Sequence, residues 1–159
     1  MSITPQSDGI LENLLIYLKE YLNNQAIAYY TDISQPIQTA VTGIEAVQSD
    51  LNAVAKYPLL MGYRRSFSGP EFEITDARLD YFLLVNVNSR LNQNAMFTWV
   101  VKHLAIALND YNEIDEGCLK ILEVGSANIL HAQVRGKNGP LTIPFLRVDF
   151  RFQDLVLPI

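Results

Sequence analysis

Apolar residues recur at three- and four-residue spacing near the start of the chain. Ile10, Leu11, Leu14, Leu15, Leu18 and Leu22 fall on one stripe and predict an amphipathic helix. Ser7 or Asp8 can cap its first turn, and Asn23-Asn24 offers an exit. From Ala26 to Val41 the pattern is irregular, and Pro36 bars a continuous helix. Ile44, Val47, Leu51 and Val54 then share a helical face, which predicts a weaker, optional helix closed by Pro58. Past Pro58 the period shortens to two. Leu59–Phe67 predicts a strand, followed by Ser68-Gly69-Pro70 as punctuation. Leu79–Val87 is the most apolar segment. Its odd positions are all apolar and Phe82 and Leu84 face the other way, the pattern of a central strand covered on both faces.

A second strong helix is predicted over Asn94–Tyr111, with Phe97, Val100, Val101, Leu104, Leu108 and Tyr111 on its main stripe. Trp99, Ile106 and Ala107 lie off that stripe and predict a second buried strip. After a polar connection at Asn112–Gly117, strands are expected over Leu119–Val134 and Leu141–Leu155. Asn138-Gly139, within Arg135–Pro140, supplies the chemistry of a hairpin turn. The last strand alternates most cleanly: Leu146, Val148, Phe150 and Phe152 point one way, Arg147, Asp149, Arg151 and Gln153 the other. The order predicts a single α+β domain over residues 1–159, compact over about 8–155. Its mainly antiparallel sheet has about four strands packed on two or three helices.

Composition narrows the class. The chain has 159 residues, 49% of them hydrophobic and 18% charged, as expected of a domain with a real core. No apolar run suggests a membrane span, and the first residues lack the pattern of a signal peptide. With a single cysteine, Cys118, nothing points to an oxidising compartment, so a soluble intracellular protein is expected. The formal net charge of -5 argues against nucleic acid as a principal partner.

Candidate chemistry is sparse. His103 and His131 have no metal-ligand spacing; packing beside Trp99 is the better reading of the first, a solvated position that of the second. Cys118 lies near Glu113, Asp115 and Glu116, which oppose formation of a thiolate. Asp76 and Asp80 are better explained as keeping a strand entrance soluble than as an acid–base pair. Phosphate-binding glycine loops are absent, and Arg64-Arg65 point to opposite strand faces, which makes a poor nucleic-acid patch. No catalytic, cofactor or metal site is predicted. What remains is apolarity beyond the needs of one small core: Trp99, Ile106, Phe67, Phe72, and the terminal Leu155 to Ile159. The first helix and the Ala26–Val41 segment are one available cover for these residues, and other subunits are the other.

Tyr57-Pro-Leu-Leu60 enters a strand, Val85-Asn-Val87 ends another, Ala107-Leu-Asn-Asp110 ends a helix, and Leu146-Arg-Val-Asp-Phe-Arg-Phe152 closes the chain. In this order the segments resemble the tail terminator and neck proteins of tailed bacteriophages and related contractile injection systems. The resemblance implies a small non-enzymatic α+β subunit of the virion, assembled in the host cytoplasm as a homohexameric ring on the tail tube. Its implied partners are tube, sheath and neck or connector proteins, with DNA passing through the lumen unbound and no cofactor or membrane. A neck or tail-completion role is the nearest alternative. A small enzyme or ligand-binding domain using Arg147, Asp149 and Arg151, with an anion bridging the two arginines, is the alternative of another class. Contacts are expected from the loop Ser66–Glu73 with Phe67 and Phe72, from Trp99 and Ile106, and from the tip with Arg135 and Lys137. The strand face with Arg147 and Arg151 and the tail with Leu155 and Ile159 complete the expected surfaces.

Overall fold

In a computed structural model the described residues are 9–48, 51, 56–83, 90–112, 119–136 and 138–155. Their elements run α1 (Gly9–Asp32), β1 (Gly43–Glu45), β2 (Leu59–Ser68), β3 (Ile74–Phe82), α2 (Arg90–Tyr111), β4 (Leu119–Gly136) and β5 (Gly139–Asp154). The fold is α+β, with a sheet ordered β1-β2-β3-β5-β4. All pairings are antiparallel except β1 with β2.

The helices cover one face. The stripe Leu11, Leu14, Leu15, Leu18 and Leu22 is fully buried together with Phe97, Val100, Leu104 and Leu108 of α2. Beneath them lie Leu60, Leu79, Tyr81, Leu146, Val148, Phe150 and Phe152 from the sheet. A side chain at Gly62 would stand 3.1 Å from Leu15 Cδ2, so the glycine lets α1 approach β2 closely. On the opposite face Leu59, Met61, Tyr63, Phe82, Ile143 and Phe145 form a smaller cluster, against which Leu51 and Tyr57 pack. β3 is therefore central and has apolar neighbours on both faces.

Three expectations change. The helix expected over 44–54 is absent from its described part: Gly43–Glu45 is a fifth strand, paired with Leu59–Met61. α1 runs past Asn23 to Asp32, because the Asn23 amide does not cap it. Asn23 Oδ1 instead accepts from the Ala40 and Val41 N–H groups at 3.0 and 2.9 Å, while Nδ2 donates to the Val41 carbonyl at 2.9 Å. Ala107 is buried with the main stripe of α2, not on a second strip. The proposed second half of the central strand, residues 84–87, lies outside the described residues, as do Cys118 and the acidic loop before it.

The hairpin is long. β3 pairs with β5 from Ile74↔Gln153 to Phe82↔Phe145, whereas β4 pairs with β5 as far as Gly136↔Gly139. Six pairs, His131↔Pro144 to Gly136↔Gly139, thus form an arm with no third strand among the described residues. Gly139, with φ 121°, makes the turn.

Candidate assembly surfaces

The polar face of β5 meets a complementary face of β3. Asp76, Arg78 and Asp80 stand opposite Arg151, Asp149 and Arg147, so every cross-strand pair joins opposite charges. Arg151 Nε donates to Asp76 Oδ1 at 2.8 Å, Arg78 Nε to Asp149 Oδ1 at 3.1 Å, and Arg147 Nε to Asp80 Oδ1 at 2.9 Å. Tyr63 Oη donates to Asp80 Oδ2 at 2.8 Å and accepts from Arg147 Nη2 at 3.0 Å. Asp80 is only 3% exposed, so it is a buried ion-pair partner and not a solubilising residue at a strand entrance. The hydrogen bond from Arg151 leads the causes that hold the Asp76 carboxyl below its ordinary range. Burial, and then Asp80, raise the Tyr63 phenol.

Arg64 turns to the helix side. Its Nη1 donates to Thr75 Oγ1 at 2.8 Å and to Asp154 Oδ2 at 2.9 Å, with the guanidinium 5.0 Å from the Phe152 ring centre. An anion bridging Arg147 and Arg151 would have to displace the carboxylates of Asp80 and Asp76. The arrangement is suited to fixing strand register, since a one-residue slip would send all these charges to the helix face.

The apolar candidates divide. Trp99 is half-buried: its ring centre lies 4.4 Å from that of His103 and 6.5 Å from that of Tyr29. Phe67 and Phe72 remain 55% and 68% exposed, and Ile106 and Leu155 are also exposed. The segment after Asn24 covers Trp99 but adds Ile27, Tyr29, Ile33 and Ile37 to the surface. Phe72 holds φ at 54° in the turn closed by its N–H to the Gly69 carbonyl, a backbone that costs a bulky residue about 1–3 kcal/mol. Arg135 is exposed on the arm; Lys137 and Ile159 lie outside the described residues.

Two poles follow. Phe67, Phe72 and Leu155 lie at the same end of β2, β3 and β5, with Asp154 N–H bonded to the Glu73 carbonyl at 2.9 Å. The basic tip lies at the other end of β5, 16 residues and about 50 Å of strand away. The charge ladder and the β4 edge escaped the sequence reading. Its signal was present in the alternation Asp76-x-Arg78-x-Asp80, which mirrors Arg147-x-Asp149-x-Arg151.

Among the described residues no three His, Cys, Asp or Glu side chains are grouped to hold a metal ion, and no helix is long and apolar enough to cross a membrane. No protein-family model and no curated protein matches the chain.

Proposed function

We propose that this protein is a non-enzymatic assembly subunit of the tail-terminator type. It forms a homohexameric ring that caps a tail tube, stops tube and sheath growth and presents a joint to the neck. The observation that carries the assembly reading is the pair of unlike, separated surfaces on one subunit: an apolar rim at Phe67, Phe72 and Leu155, and a basic arm at the far end of β5. Head-to-tail contacts between unlike surfaces close into rings when the rotation permits. The tail role rests on the resemblance of the element order and of the closing strand to that family. The paired arginines of β5 weigh against an anion-binding site there.

Native mass spectrometry of the full chain should give a closed hexamer, and electron microscopy should place labelled protein at the ends of purified tail tubes. A chain that stays monomeric at high concentration and ignores tube ends would refute this reading. Decoration of portal-side particles alone would move it to the neck.

A further inference from the structure

A sheet edge recruits further strands unless shortness, bulges, charges or prolines guard it. Most edge stretches of this sheet carry such guards. β1 spans only Gly43–Glu45. Beyond it, β2 is irregular between Arg64 and Ser66 and carries Arg64 and Arg65. The first half of β4 is irregular between Ile121 and Glu123 and between Val124 and Ala127. The Asn112 amide also caps it: Oδ1 accepts from the Ile121 N–H at 2.7 Å, and Nδ2 donates to the Ile121 carbonyl at 2.8 Å.

The guard ends at Ala127. Because Ile121 bonds outward, its partner Phe152 turns its backbone groups away from β4, and every second residue of β5 down to Pro140 does the same. On that side of the arm Pro144 and Pro140 remove the donors. Their counterparts on β4, with Ala127, Ile129 and Gln133, point N–H and C=O out of the sheet. From Ala127 to Arg135 the pairing with β5 is unbroken, without proline, and Arg135 is its only charge. Ala127, Ile129, His131 and Gln133 are exposed, and no described strand pairs with this edge.

An open edge selects a strand. Among the described residues no other edge stretch of the chain is unguarded, so a second copy meets it best with the same stretch, antiparallel about a twofold axis. Centred on His131, such pairing uses Ala127 to Arg135 of both copies in full. Side chains keep their faces, so Leu130 adjoins Ala132 of the other copy. Both are half-buried against the Ile143 and Phe145 cluster, and pairing joins two partly covered apolar strips into one. Charge does not oppose it. Arg135 stands opposite Ala127 of the other copy, which leaves the two arginines about 27 Å apart along the strands, beyond the screening length.

We propose that two copies pair through the distal halves of β4, antiparallel about a twofold axis at His131, and so join their sheets into one. The inference goes beyond the ring reading and does not rest on it. A like-to-like contact closes at two copies, so it links free subunits or copies from two different rings.

Disulfide capture in the full chain with Cys118→Ser tests the contact and its register. His131→Cys places two thiols on directly opposed residues with Cα atoms about 5.5 Å apart, within disulfide reach. It should give about tenfold more covalent dimer than Lys102→Cys on the exposed face of α2, because pairing raises the effective concentration. Ile129→Cys and Gln133→Cys should each stay monomeric alone, their like residues lying about 13 Å apart along the strands, yet cross-link when mixed. Adding Ile129→Lys, which supplies the missing guard charge, should abolish capture at His131→Cys. Circular dichroism of each variant separates lost pairing from lost folding.

No capture at His131→Cys in a folded chain would overturn the proposal, as would equal capture at all four positions, the mark of random collision. Slowed exchange of the Ala127, Ile129 and Gln133 amides only on addition of purified tail tubes, without capture, would overturn it in favour of a strand from the tube. Capture without hexamers defeats the ring and keeps this contact; hexamers without capture do the reverse.

Discussion

Asp80 shows most clearly how a single side chain acquires its role from its partners. A carboxylate on a strand facing away from the helices would ordinarily be solvated. Here Leu59, Met61, Phe82 and Phe145 bury the neighbouring surface, and Asp80 accepts hydrogen bonds from Arg147 and from the Tyr63 hydroxyl. Removing the carboxylate leaves a partly buried guanidinium without its hydrogen-bonded counter-charge. Asp80→Ala should therefore destabilise the fold by about 3 kcal/mol in denaturant unfolding. Asp76→Ala should cost much less, because its pair with Arg151 stands in water, where ion pairs are weak. Equal losses at the two sites would show that the ladder is not graded by burial.

At the scale of elements, legibility depended on whether an element's reason for existing is local. α1, α2 and the β4–β5 hairpin were readable because a stripe or an alternation records the face that each one buries. β1 was not. Three residues form a strand only because Leu59–Met61 lie beside them, and the apolar spacing of Ile44, Val47 and Leu51 imitated a helix. The first half of β3 was missed for the opposite reason: its outward positions are charged and its inward ones, Thr75 and Ala77, are small. Asn23 resembled a helix end, whereas its amide is committed to residues 40 and 41 across the fold.

The seam between α1 and α2 adds a pH dependence to this scale. His103 packs against Trp99 and Tyr21, its Nδ1 buried without a hydrogen bond among the described residues, and burial lowers its pKa. The unfolded chain takes up this proton first, near the ordinary value of 6.5, so the stabilising contribution is complete above that pH. It is lost as pH falls from 6.5 through the lower folded value. His103→Gln should flatten that limb of the stability curve, followed by thermal midpoints between pH 7 and 5. An unchanged slope would locate the acid sensitivity elsewhere.

For the whole molecule, the relevant fact is that one strand, β5, connects both surfaces assigned to assembly while lying between β3 and β4. Its hydrogen bonds run across the strand direction. Tension between the arm tip and the apolar rim is therefore carried by the extended backbone of β5 itself, whereas opposed pulls on Phe82 of β3 and Leu155 beyond β5 load the bonds between those two strands together, in shear. Tension between Leu119 and Leu155 acts differently, because Leu119 faces Asp154 and the hairpin can peel apart one pair at a time. Single-molecule pulling between Phe82 and Leu155 should thus require a clearly higher rupture force than pulling between Leu119 and Leu155; equal forces would rule out this load path. A subunit built this way resists strain along one axis and yields along another, which makes the direction of attachment a mechanical property of any ring it forms.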